Sequence, residues 1–251
     1  MKRNKIRMAK AIAIVVLVLL SVCGIIYVVS SPYIHTTIYP NEKLVIATDT
    51  TINVNGVALK MIGIKGGVIK CQGYKKPITF KDFYIAETEV TRELWRAVMC
   101  DSLAELKDST QFPLTNVSLV DCIHFVHRLD SISGIKFQIP SFPTWLYAAK
   151  FGYMGIEDSY LTNDGSWLKE NASNKLHLVK QTKPNALGIY DMVGSVGEWT
   201  TSGSDPFFVI AGGSYETERK GYKIDNYDIN HGEAPLDAVG FRLVYAPNGG
   251  F

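Results

Sequence analysis

Cysteine and histidine are the residues here whose types most directly offer chemistry. There are four cysteines: Cys23, Cys71, Cys100 and Cys122. A thiolate binds soft metals, pairs as a disulfide or attacks an electrophile, and each use needs a partner at a suitable spacing. Cys23 lies inside a long apolar run. Cys71, Cys100 and Cys122 form an odd set without C-x-x-C spacing, which gives no zinc site and at most one disulfide. Small buried hydrophobes are the plainer reading. His124 and His127 make an H-x-x-H pair on one face of an expected helix. As zinc ligands they need a third partner that the sequence does not offer, so a solvated face is expected. Asn116-Val117-Ser118 and Asn171-Ala172-Ser173 are glycosylation sequons, meaningful only in a eukaryotic secretory protein. Tyr, Trp and Phe cluster in residues 199–227, where they either line a carbohydrate or peptide groove or belong to the core.

These residues sit in a chain of 251 residues, 47% apolar and 20% charged, enough for one sizeable core or two small ones. The net charge of +2 conceals an asymmetry. Lys2, Arg3, Lys5, Arg7 and Lys10 place five positive charges and no acid in residues 1–10, and subtracting them from +2 leaves −3 for the rest. A slightly acidic body has no electrostatic footprint for nucleic acid, and that class is set aside.

Residues 11–31, AIAIVVLVLLSVCGIIYVVSS, carry no charge over 21 positions. A helix crosses the hydrocarbon core with about 20 apolar residues, so a transmembrane signal-anchor is expected here. The stretch exceeds the about 7–15 residues of a usual signal-peptide core. Cleavage after Ser30 or Ser31 remains an alternative. A lipid-modified Cys23 would follow Val22, which is bulky where a small residue is expected. The basic flank predicts that everything after residue 31 faces the periplasm or exterior.

Residues 32–56 read as a linker with one strand at Leu44–Ala47, and the globular part is expected over 57–251. Val57–Ile64 alternates and meets Gly66-Gly67, predicting a strand entering a turn. Ile78–Ile85 alternates again, with Ile78, Phe80 and Phe83 inward. Three helices follow. Thr91 caps a stripe of Leu94, Trp95, Val98 and Met99; Ser118 and Asp121 make a capping-box-like start to a second; Ser141 caps a third that ends at Gly152. After Lys150 no long helix is predicted. The pattern is that of an irregular, loop-rich α+β domain.

In order along the chain come Gly66-Gly67, FYIAETEVTRELWRAVM from Phe83, FPLTNVSLVDCIHFVHRL from Phe112 and IPSFPTWLYAAKFG from Ile139. KPNALGIYDMVGSVGEWT from Lys183, AGGSY from Ala211 and GFRLV from Gly240 complete the series. This sequence of landmarks resembles the formylglycine-generating enzyme family, also called sulfatase-modifying factor domains, over roughly residues 57–246. The resemblance implies a C-type lectin-like variant with little regular secondary structure. It also implies an oxidase that converts a peptide cysteine to an aldehyde using two copper-binding cysteines.

Those cysteines are replaced here. The resemblance places them at Thr217 and Tyr222, and no cysteine follows Cys122. Low-valent copper selects sulfur, so copper is not expected. Phe142, Thr144 and Leu146 stand where the family has acids, and Gly197 stands for the first Trp of its N-V-W-E-W segment. The serine of the glycine-rich motif is kept as Ser214; with Tyr215 and Arg242 it is the remaining candidate for a pocket. The resemblance further implies a calcium ion held by Asp191, Gly194, Val196 and Glu198, as two side chains and two backbone carbonyls. That donor set suits a hard cation, whereas the plainer reading has both acids bonding local backbone. A second family calcium site near Asn171–Lys180 is not reproduced, and the helical domain of related non-haem iron enzymes is absent from the sequence. The expectation is a membrane-anchored, non-catalytic binding or scaffold domain with a protein or glycan ligand. The alternative is an oxidoreductase of the same superfamily working without the cysteine pair.

Overall fold

The computed structural model describes residues 28–31, 34–37, 48–70, 74, 76–100, 110–152, 164–201 and 208–247. The chain divides into two compact units, residues 1–45 with 67–79, and residues 46–66 with 80–251. In the first, β1 (Val28–Ser31) pairs antiparallel with β2 (Ile34–Thr37), and β5 (Val68–Ile69) pairs with β6 (Ile78–Thr79). The helix predicted over 11–31 is therefore not helical at its last four residues. Val28 and Val29 are β-branched, and Pro32 disfavours helix in the residue before it. The remainder of that span and the strand expected at Leu44–Ala47 lie outside the described residues. Among the described residues, no helix is long and apolar enough to cross a membrane.

The second unit holds the core. Its five-stranded antiparallel sheet runs β3 (Thr50–Val54), β4 (Val57–Ile64), β7 (Phe83–Ala86), β13 (Val244–Tyr245), β8 (Phe137–Gln138). β3 lies in the stretch assigned to the linker. Asn55 and Gly56 both take positive φ, 49° and 91°, and so form the two-residue turn that closes a β3–β4 hairpin. A four-stranded sheet runs β11 (Tyr227–Asn230), β10 (Phe208–Ala211), β9 (Gly197–Thr201), β12 (Val239–Gly240), with β9 and β12 parallel. The single strand expected over Ile78–Ile85 is broken into β6 and β7. Asp82 turns the chain between them, its carboxylate accepting from the Gly66 N–H at 2.8 Å and the Lys65 ammonium at 3.1 Å.

The predicted helices are present. α1 (Arg92–Met99) begins at Thr91, whose hydroxyl accepts from the Leu94 N–H at 3.2 Å. α2 (Leu119–Ser133) carries a complete capping box: the Asp121 N–H donates to Ser118 Oγ, and the Ser118 N–H donates to Asp121 Oδ2 at 2.9 Å. α3 (Phe142–Gly152) is capped by Ser141, whose Oγ accepts from the Thr144 N–H and lies 2.7 Å from the Thr144 hydroxyl. After Gly152 the one described helix is α4 (Lys169–Ala172), four residues long. Trp95 of α1 stacks on Phe125 of α2 at 5.2 Å, and Phe241 meets both edge-on. Buried aromatic pairs of this kind contribute about 0.5–1.5 kcal/mol beyond area burial. That packing fixes the Phe241–Leu243 segment, and hence Arg242, beneath the turn that leads into β9.

Candidate functional site

The glycine-rich loop after β10 takes its shape from Gly212 and Gly213, with φ of 89° and 68°. A side chain at Gly213 would press on both Thr217 and Tyr222, so the two positions that carry thiolates in the family pattern flank one residue. Their hydroxyls face inward to the loop itself. Thr217 Oγ1 accepts from the Ser214 N–H at 2.9 Å, and the Tyr222 phenol, buried, donates to the Gly212 carbonyl at 2.8 Å. Ser214 Oγ accepts from the Glu216 N–H at 3.2 Å, a turn hydroxyl bonded to backbone. Tyr215 is held by its N–H to the Ser195 carbonyl, and burial, aided by Glu216 and Asp237, raises its phenol above the ordinary range. It is a neutral phenol at pH 7. Copper does not fit: neither position offers sulfur, and both hydroxyls are engaged.

Arg242 does not join Ser214 and Tyr215 in a pocket. It is fully buried, and its guanidinium grips Glu198 from two sides, Nε to Oε2 at 2.7 Å and Nη2 to Oε1 at 2.6 Å. Nη1 donates to the Ala86 carbonyl and Nη2 also to Tyr190's. Trp145 of α3 adds a third donor to Glu198, Nε1 to Oε2 at 2.9 Å. Nothing in the local sequence pattern around Trp145 distinguishes it as a donor to Glu198. Arg242 as a pocket residue is thus corrected: it is the counter-ion of a buried carboxylate, 44 residues away in sequence.

The turn before β9 is drawn by three residues in left-handed conformation. Asp191, Gly194 and Ser195 take positive φ of 57°, 74° and 56°. A Cβ at Gly194 would collide with the Trp167 carbonyl, while the Gly194 and Ser195 N–H groups donate to Gly212 and Trp167. Asp191 is buried, with Oδ2 accepting from the Lys180 N–H and Oδ1 from the Thr182 hydroxyl, both at 2.8 Å. The two acids expected to share an ion therefore point at protein donors. Calcium wants six to eight oxygens, and all four carboxylate oxygens here already face N–H or O–H groups. The donor set still offers oxygens to such an ion, since a carboxylate oxygen that accepts one hydrogen bond keeps a second lone pair. Asp191 accepts from a backbone N–H 11 residues away and from a threonine side chain, and Glu198 from side chains of Arg242 and Trp145.

Two acids escaped the sequence reading. Glu87 is flanked by Lys60 at 2.8 Å and Lys180 at 2.7 Å; burial opposes its charge, but these two bonds hold its carboxyl below the usual range. Glu89 is 1% exposed, and among the described residues neither of its oxygens meets a hydrogen-bonding group of another residue. An acid just before a helix cap reads as a surface residue, and only the tertiary packing buries it. His124 and His127 are exposed on α2. Cys100 is an exposed free thiol, Cys122 is a buried one pushed up by burial, and Cys71 lies outside the described residues. Of the aromatics in 199–227, Trp199 is core, its Nε1 bonded to the Val117 carbonyl, and Tyr227 is exposed.

Two antiparallel-dominated sheets, capped helices packed against both of them, and a glycine-rich loop beside a buried Arg–Glu pair define a sulfatase-modifying-factor-like class of domain. The chain matches the Sulfatase-modifying factor enzyme 1-like domain over residues 48–247, and it belongs to that family. It is 26% identical over 196 residues to Chaperone protein LppX of Paenibacillus barcinonensis, covering 55% of this chain and 70% of that one. Among solved structures it is similar to Treponema denticola variable protein 1, with TM-score 0.69 and 23% identity, covering 80% of this chain and 99% of the other. PvdO from Pseudomonas aeruginosa superposes with TM-score 0.64 at 17% identity, covering 78% and 97%. At these identities the two structures speak for the fold alone.

Proposed function

We propose that this protein is a non-catalytic binding or scaffold member of the family, held in a membrane by the charge-free run that begins at residue 11 and precedes β1, with its body in the periplasm or exterior. The observation that carries the reading is the closure of the glycine-rich loop on itself. Thr217 and Tyr222 replace the thiolates and turn their hydroxyls to Ser214 and Gly212 of the same loop. With the reactive groups gone and the fold kept, the domain serves by the surface it presents. The similarity to a protein named as a chaperone supports a polypeptide as the thing bound. The charge-free run and its basic flank support the location.

The test is an oxygen electrode followed by capture. The full-length chain in detergent, given copper and a thiol peptide, is expected to consume no more oxygen than a protein-free control. Pull-down from membranes is expected to recover a stoichiometric protein partner. Protein-dependent oxygen uptake would defeat the reading, and so would a chain that emerges alone from the membrane.

A further inference from the structure

β11 is the outer strand of the four-stranded sheet, and among the described residues no strand lies beyond it. An antiparallel strand bonds its neighbour through alternate residues, so the others turn their N–H and C=O groups outward. Such an edge is a template for a further strand unless something blunts it. Proline and lysine, the usual blunting residues, are absent from β11, which reads Tyr-Asp-Ile-Asn. Its side chains alternate between the two faces of the sheet. Tyr227 and Ile229 stand opposite Ala211 and Val209 of β10, on the face that α3 covers, and Tyr227 meets Phe142 of α3 edge-on at 4.9 Å. Both reach past that cover: Tyr227 is 44% exposed and Ile229 63%. Asp228, also exposed, lies on the opposite face. Lys150 pairs with Asp225 before the strand begins, and no Lys or Arg occurs between Lys223 and Arg242. The edge therefore carries its acid without a counter-charge from its own stretch of chain.

Resting on the reading of this domain as a polypeptide binder, we propose that the open edge of β11 receives an extended segment of the partner as a fifth strand of the sheet. The segment it fits alternates apolar, basic and apolar residues. In such strand addition the main-chain hydrogen bonds supply affinity, and alternate side chains supply specificity. Apolar residues of the incoming strand lie opposite Tyr227 and Ile229 and extend the surface that α3 begins. A lysine or arginine between them falls on the other face, opposite Asp228, where cross-strand charges of opposite sign attract and like charges repel. A second copy of β11 would bring an acid rather than a base to that edge. The charge of the edge thus selects a basic segment over the chain's own strand.

The test gives the full-length chain in detergent two fluorescent peptides, Ser-Thr-Val-Lys-Val-Thr-Ser and its counterpart with Glu in place of Lys, and reads anisotropy. The lysine peptide should bind roughly fivefold more tightly, the scale set by reversing one cross-strand charge pair. Asp228→Lys should reverse the preference, and Ile229→Asp should weaken both peptides. Both side chains are exposed, so the variants should melt as the wild type does. With its carbonyls isotope-labelled, the bound lysine peptide should show a strand-type infrared band. No binding, no charge preference, a preference that Asp228→Lys leaves unreversed, or a bound peptide without that band would overturn the proposal. So would a dimer of the bare chain in sedimentation that Ile229→Asp dissolves, since a second copy would then own the edge. A membrane partner recovered equally by wild type and by the Asp228→Lys, Ile229→Asp double variant would overturn it too, while the polypeptide-binding reading stood. That reading falls if the wild type itself recovers no partner.

Discussion

Tyr222 and Thr217 illustrate how a reactive position becomes a structural one through ordinary hydrogen bonding. Tyr222→Phe removes the donor to the Gly212 carbonyl, buried beside it, and should cost about 1 kcal/mol in denaturant unfolding. An unchanged midpoint would mean that the phenol is not bonded there in solution. Arg242→Met should cost about 3–5 kcal/mol, because it leaves the Glu198 carboxylate buried without its counter-ion. Adding Glu198→Gln to that variant should recover part of the loss, and a double variant no better than the single would refute the pairing. The loss of the thiolates is legible in the sequence through the family resemblance, which implies cysteines at the positions held by Thr217 and Tyr222. The aim of Asp191 and Glu198 is not. Their types and spacing suit an ion, but the donors that claim Glu198 arrive from α3 and from the segment after β12. No local pattern announces those.

At the scale of elements, what was legible is what is local. Thr91, Ser118 with Asp121, and Ser141 cap the helices read from them, because a cap is made within four residues. Ser118→Ala should lower stability by about 1 kcal/mol, measured by denaturant unfolding; no change would show that the box is redundant. The Asn55-Gly56 hairpin is equally local but lies within a polar stretch whose composition reads as linker. The short strands of the second half could not be read. β12 and β13 are two residues each and exist only because β9, β7 and β8 receive them. The turn before β9 depends on contact in the same way. Gly194→Ala forces a Cβ into the Trp167 carbonyl at positive φ and should abolish cooperative folding in a thermal melt. A cooperative melt near the wild-type midpoint would contradict that geometry.

For the whole molecule, family membership rests on a match spanning residues 48–247, and the fold on the likeness to solved structures. The proposed orientation predicts that protease added to cells stripped of their outer membrane digests the body; full protection would contradict it. The central claim is that this chain keeps the family's fold without its chemistry. Its most direct measurement is to incubate the full-length chain with copper, oxygen and a sulfatase-type Cys-x-Pro-x-Arg peptide, then weigh the peptide by mass spectrometry. The account predicts that the cysteine stays a cysteine, because Thr217 and Tyr222 offer no thiolate. Catalytic conversion of that cysteine to the aldehyde would contradict it.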